Sequence, residues 1–280
     1  MIAIGRLPRP ILQLFGIVSG FFLRIVPNSS ERVTRANLSL AYPELPSDQQ
    51  NALVRASLND LAHKFFRLLA TWQKPPAQVV NWVVDVDGFE AFDAACATSP
   101  TLILLPHLGN WELFGLWLST RRPYTAMFRP MRVEQMSHLV RAARERGGNQ
   151  LVAASPVGVK HILHDLKCGK TAILLPDQTP KQGVGEFVPF FSIDTLTATL
   201  PYRIAHATQA RVFVAGAVAV QGGYKVFFDE LKQPTYGVSR QQWLGLMNQT
   251  IEKWVRQFPE QYQWEYNRFH AAPEGGIRKI

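Results

Sequence analysis

The chain has 280 residues, 47% of them hydrophobic, enough for one large domain with a sizeable core or two small ones. Thirty Lys and Arg against 21 Asp and Glu leave a net charge of +9, which favours an anionic partner: nucleic acid, an anionic membrane face or an acidic protein. Two cysteines, Cys96 and Cys168, stand far apart without CxxC spacing, so a disulfide scaffold is excluded and reduced thiols in a cytosolic environment are expected.

The first 27 residues are apolar but carry Arg6, Arg9 and Arg24. The uncharged run over 10–23 falls short of the ~20 residues a spanning helix needs. No A-x-A site marks a cleaved signal peptide. Two readings fit: a helix inserted into one leaflet with its arginines at the headgroups, or an ordinary apolar helix packed on the domain. The first sets the expected division: 1–27 a membrane-associated segment, 28–280 a single α/β domain.

Residues 31–73 predict two helices, broken at Tyr42-Pro43 and Pro46-Ser47-Asp48, with Ser47 or Asp48 as N-cap of the second. Lys74-Pro75-Pro76 ends that helix. From VVDVDG onward strands and helices alternate. TLILLPH, PYTAMFRP, NQLVAAS, KTAILLPDQ, ARVFVAGAVAV and GYKVFFDEL read as strands. NWELFGLWLST, VEQMSHLVRAARERGG, VGVKHILHDLKCG and SRQQWLGLMNQTIEKWVRQFP read as helices, and 192–209 carries another. QYQWEYNRF is expected to pack as a terminal strand and close the ordered part, with AAPEGGIRKI as a tail. Such alternation predicts an α/β fold with a mixed, mostly parallel central sheet flanked by helices.

TLILLP is apolar on both faces and should be a central strand. His107 stands at its C-terminal end, the edge where open α/β sheets bind ligands. Gly109 and Asn110 suit a turn, with Asn110 as helix N-cap, and Glu112 follows in the first helical turn. A histidine accepts a proton from a hydroxyl near neutral pH, and a carboxylate on its other ring nitrogen fixes the tautomer. Free N–H groups of the same helix start suit a developing oxyanion. The bland alternative is a hydrogen-bonded strand-end histidine and a Glu favoured by the helix dipole. Asp177 follows a second apolar strand, ILLP, and also reaches a strand C-terminal edge.

Other patterns fail. GKT at 169–171 lacks the glycine a phosphate-binding loop needs at 164, which is His164. His161 and His164 have no third ligand in view, so no metal is expected. No G-x-S-x-G is present. YQWEYNRFH suits packing better than base stacking, and nucleic acid is not an expected partner.

HLGNWE resembles the H-x4-D/E block of glycerolipid and lipid A acyltransferases. With MFRP at 127–130, LLPDQTPKQGVGEFVPFF at 174–191, TATLPYRIAHATQA at 197–210 and PEQYQWEYNRFHAAPEG at 259–275, the chain resembles the late acyltransferases of lipid A biosynthesis, the lauroyl/myristoyl transferase family. That resemblance implies transfer of an acyl chain from acyl carrier protein to a hydroxyl of a lipid A precursor, without a cofactor, at the cytoplasmic face of a bacterial inner membrane. It implies His107 as general base and Glu112 as its orienting carboxylate. It also assigns Arg129 and Arg144 to anionic phosphate or sugar groups, and Asp177 to acceptor positioning or to holding Arg144. An apolar groove near His107 is expected to hold the acyl chain. Thr179 stands where an acidic residue often follows in the family, which leaves a lysophospholipid or aminolipid acceptor open. A catalytically silent lipid-binding protein of the same fold is the rival outside enzymes.

Overall fold

The computed structural model describes residues 4–129, 133–181, 183–231, 237–273 and 276–278. Pro130 of the MFRP stretch, Gln182 of the PDQTPKQG turn, and Glu274 and Gly275 of the tail lie outside the described residues, as do 1–3 of the N-terminal segment. In chain order the elements are α1 (Arg9–Ile25), α2 (Ser29–Ala41), α3 (Ser47–Gln73), α4 (Pro76–Val80), β1 (Val83–Asp87), α5 (Phe89–Thr98), β2 (Thr101–Leu104), α6 (Trp111–Ser119) and β3 (Tyr124–Phe128). There follow α7 (Glu134–Glu145), β4 (Gln150–Ala153), α8 (Pro156–Lys167), β5 (Thr171–Leu174), β6 (Gly185–Phe190), β7 (Ile193–Ala198), α9 (Leu200–Thr208), β8 (Arg211–Val220), β9 (Gly223–Glu230) and α10 (Arg240–Gln257).

Seven strands form one sheet in the order β1-β9-β8-β2-β5-β3-β4, and every pair is parallel except the β8–β9 hairpin. β2 and β5 are buried along their whole length, which explains their unbroken apolar runs. Alternation divides each strand between two cores. Leu102 and Leu104 face the core that holds Trp243, Ile251 and Trp264, whereas Ile103 and Leu105 face the one that holds Phe92, Phe114 and Phe213.

Capping follows the local sequence. Asn28 accepts from Glu31 N at the start of α2, and Ser239 with Gln242 closes a reciprocal capping box on α10. On α3 the N-cap is Pro46, so Ser47 and Asp48 fall inside the first turn rather than capping it; Asp48 there still suits the helix dipole.

One expectation is incomplete and one needs correction. The helix expected within 192–209 is α9, which begins at Leu200; before it β6 and β7 form an antiparallel hairpin through Phe191 and Ser192, both at positive φ. Period-two burial of Thr195 and Thr197 is the strand signal that Ala-rich α9 overshadowed. QYQWEYNRF is not a strand. It makes one bridge, Leu108 to Tyr262, and otherwise turns through the core with Tyr262, Trp264 and Phe269 buried. Its backbone is held by side chains: Asn37 Nδ2 donates to the carbonyls of Trp264 and Tyr266 at 2.7 and 2.8 Å, and Lys64 Nζ to that of Gln261 at 2.8 Å. The tail returns as well, with the Arg278 guanidinium donating to the Phe269, Ala271 and Asp194 carbonyls.

α1 does not stand apart from the rest. Gly16 and Gly20 bring it against α3, where a Cβ on Gly16 would fall 2.2 Å from His63 Nδ1. Its outward face leaves Leu14, Ile17, Phe21, Phe22 and Ile25 more than half exposed. No single helix among the described residues is long and apolar enough to cross a membrane; α1 and α2 pass that test together, bent by 76° at the break between them.

Trp264 is 1% exposed and sits edge-on to Tyr42, Phe191 and Tyr262. Trp264→Ala is therefore expected to cost about 3–5 kcal/mol, read as a lower denaturant midpoint at unchanged slope. A loss under about 1 kcal/mol would show the C-terminal segment to be a surface strap.

Candidate active site

β2 and β5 are neighbours in register, Thr101 opposite Thr171 and Leu104 opposite Leu174. Pro106 and Pro176, which lack an N–H, end the ladder. His107 and Asp177 each follow three residues after a paired leucine, so the register delivers them side by side. His107 N donates to Asp177 Oδ2 at 2.8 Å, and Nδ1 lies 2.8 Å from Oδ1. An ionised carboxylate accepts only, so the neutral ring carries its proton on Nδ1 and turns the Nε2 lone pair outward. Gln178 Nε2 stands 3.3 Å from that lone pair and donates also to Gln263 Oε1 at 3.1 Å. The indole of Trp111 packs edge-on to the imidazole at 5.0 Å.

The expected His107–Glu112 contact is not made. Glu112 is buried and turns the other way, where Arg144 Nε donates to its two carboxylate oxygens at 3.1 and 3.0 Å and Nη2 donates to Oε1. Burial lowers the Arg144 pKa, but the Glu112 charge and hydrogen bonds outweigh it and the net shift is upward. Trp111 sits between the two pairs: successive helical residues point ~100° apart, so the residue before Glu112 covers His107 while Glu112 faces α7. Asp177 accordingly holds His107 and not Arg144. Arg129 is exposed just past the end of β3 and makes no hydrogen bond or ion pair with either pair among the described residues.

The loop from His107 to Asn110 is fixed atom by atom. Gly109 N donates to Gln261 O and Asn110 N to Ala217 O, while Asn110 Oδ1 caps Leu113 N and Asn110 Nδ2 donates to Thr71 Oγ1. Gly109 has φ +63°, and a Cβ there would lie 2.1 Å from Ala217 O, so only glycine fits. Among the described residues this leaves the Trp111 and Glu112 N–H groups of the helix start without an acceptor.

A cavity of about 40 Å³ lies behind Trp111, lined by Glu112, Tyr124, Arg144, Leu105 and Leu175 among others. It has space for a few waters and not for a fatty acyl chain. His107 does not line it, so this cavity is not the apolar groove expected beside that residue.

Residues missed from the sequence are Gln178, Gln263 and Tyr262. Tyr262 is buried close enough to Asp177 to feel its charge, and burial, then that charge, holds its phenol well above the usual value, so it remains a donor. The missed signal was in plain view: TLILLPH and TAILLPD are two copies of one strand pattern ending in a base and an acid.

Burial raises the Asp177 carboxyl, but the His107 charge, two His107 hydrogen bonds and the more distant Arg268 charge together outweigh it, leaving the pKa below the usual 3.8. A depressed folded pKa contributes stability that is present above the unfolded value and lost as pH falls through the folded one. Acid unfolding below about pH 4 should therefore be shallower in Asp177→Asn than in the parent. Identical acid limbs would mean that the pair carries no linkage.

A family model for bacterial lipid A biosynthesis acyltransferases matches residues 1–271. The chain is 25% identical over 274 residues to a lipid A biosynthesis palmitoleoyltransferase of Escherichia coli strain K12, covering 96% of this chain and 88% of that one. It is 23% identical over 276 residues to the lipid A biosynthesis lauroyltransferase of the same strain, covering 96% and 89%. A phosphatidylinositol mannoside acyltransferase of Mycolicibacterium smegmatis is 26% identical over 193 residues, 66% of this chain and 62% of that one. With a strand-end histidine clamped by a carboxylate and a match that runs from the first residue to 271, the chain is an acyltransferase and belongs to the bacterial lipid A biosynthesis acyltransferase family.

Proposed function

We propose that the protein transfers a fatty acyl chain from the thioester of acyl carrier protein to a hydroxyl of a lipid A precursor, with His107 as general base. The observation that carries this reading is the His107–Asp177 clamp, which leaves Nε2 as the one basic ring atom at a strand C-terminal edge. The acceptor hydroxyl displaces the Gln178 amide and gives its proton to Nε2. Its oxygen attacks the thioester carbonyl carbon, and the tetrahedral oxyanion forms within reach of the Trp111 and Glu112 N–H groups. The C–S bond then breaks, and the departing thiolate takes the proton back from Nε2. No covalent enzyme intermediate is needed. Asp177 stabilises the imidazolium between these two steps. Glu112 fixes Arg144 beside the helix start, and exposed Arg129, with no ion pair among the described residues, would meet an acceptor phosphate.

The division proposed is a membrane-associated segment at 1–27 and one catalytic domain at 28–280, lying on the cytoplasmic face of the inner membrane. The apolar outer face of α1, continued by exposed Phe65 on α3, supports insertion into one leaflet. The net charge of +9 supports an acidic carrier protein and anionic headgroups as partners.

The test is acyl transfer by membranes holding the protein, with an acyl carrier protein series and a tetra-acylated lipid A precursor. His107→Ala should lower the rate by about 10²–10⁴-fold, and Asp177→Asn by a comparable factor. Glu112→Gln strands the Arg144 charge and should lose about 3–5 kcal/mol of stability together with activity. Full activity in Asp177→Asn beside a folded, inactive Glu112→Gln would return the orienting role to Glu112. Transfer by the wild type to lysophospholipid or aminolipid and not to the precursor would sink the lipid A assignment.

A further inference from the structure

A second groove, of about 320 Å³, opens between α1, the middle of α3 and the β8–β9 turn. Its lining is two-sided. Leu12, Phe66, Ala70 and Trp82 form an apolar wall, and Arg9, Gln13, His63 and Arg67 a polar one, with no acidic side chain among them. Arg9 stacks on the Trp82 indole at 4.8 Å and has no carboxylate partner among the described residues. Arg67 donates through Nη1 to Asp60 at 3.1 Å, leaving the rest of its fork uncommitted among the described residues. Both residues line the same groove. Burial raises the pKa of the Tyr224 hydroxyl on the groove wall, and the Arg67 charge and, more weakly, the Arg9 charge draw it down.

We propose that this groove holds the phosphate of an anionic lipid whose chains run along α1. Guanidinium forks suit a phosphate oxyanion, and the volume suits a glycerophosphate headgroup rather than a lone water. A lipid is favoured over a free anion because the groove borders the exposed apolar face of α1, where Phe15 stacks on the groove residue Phe66 at 5.7 Å. The site is separate from the acyl-transfer reading: His107, Asp177 and Glu112 do not line it. Its occupant would pin α1 to the domain at the membrane surface. It would also touch the wall formed by Tyr224.

The experiment is titration calorimetry on the full chain in neutral detergent, with dioctanoyl phosphatidic acid, dioctanoylglycerol and inorganic phosphate as probes. The wild type should bind one phosphatidic acid per chain, with the other two probes at least about tenfold weaker. Arg9→Gln/Arg67→Gln should weaken phosphatidic acid binding by about tenfold or more. Arg32→Gln/Arg55→Gln, which removes equal charge from exposed positions, should not. Arg9→Gln alone breaks no hydrogen bond or ion pair among the described residues, so it keeps the test open if loss of Arg67 disturbs folding. Unchanged binding by Arg9→Gln, an equal loss in the exposed pair, or inorganic phosphate as tight as the lipid would each overturn the proposal.

Discussion

The in-register parallel pairing of β2 with β5 is the constraint on which the site depends. A parallel ladder keeps equal offsets level, so two strands that end alike must present their next residues together. Leu104 lies opposite Leu174, and three residues on, His107 meets Asp177 through both its backbone N–H and its ring. A carboxylate held by two hydrogen bonds from one residue fixes that residue's position and its tautomer at once. The remaining contacts support this geometry. Tyr262 and Arg268 come from a segment some eighty residues later in the chain, and both act on the same carboxylate.

Several buried charges have their partners on a different element. Glu112 of α6 holds Arg144 of α7, and Lys64 of α3 holds the Gln261 carbonyl. Arg268 holds Leu196 O and Thr197 Oγ1 on β7. Arg146 donates to the carbonyls of Thr71, Trp72 and Lys74, which α3 leaves open at its C-terminus. Such pairs add little net stability over apolar packing, but losing one member strands the other. Their effect is to fix register: α3, α7 and the C-terminal segment cannot slide past the active-site turn without breaking a buried bond.

Most of the fold was legible because most of its elements have a simple period. The buried strands TLIL and TAIL and the helix ending at Gly147-Gly148 are written in local sequence. What was not legible is the partner of each element. Sequence order places α6, β3, α7, β4 and α8 between β2 and β5, and nothing local says that the two strands are neighbours. Proximity in the chain therefore pointed His107 at Glu112, five positions away, when the sheet points it at Asp177. The same blindness hid QYQWEYNRF. An irregular segment has no period, and its backbone carbonyls are held by Asn37 and Lys64 from the far end of the chain.

α3 ties these parts into one arrangement. Its inward positions Asp60, Lys64, Arg67 and Thr71 recur at helical spacing and touch, in turn, the second groove, the C-terminal segment and the active-site turn. Its other face receives α1 through Gly16 and Gly20. A 27-residue helix that contacts both α1 and the His107 loop is a rigid connection, because burying Lys64 and Thr71 without their partners would cost more than local bending relieves. On the proposed reading, with α1 in one leaflet and His107 as the base, the height of His107 above the bilayer would be set by α3 and not by a flexible tether. An acceptor held in the leaflet would require that property, since a base must come within about 3 Å of the hydroxyl it deprotonates.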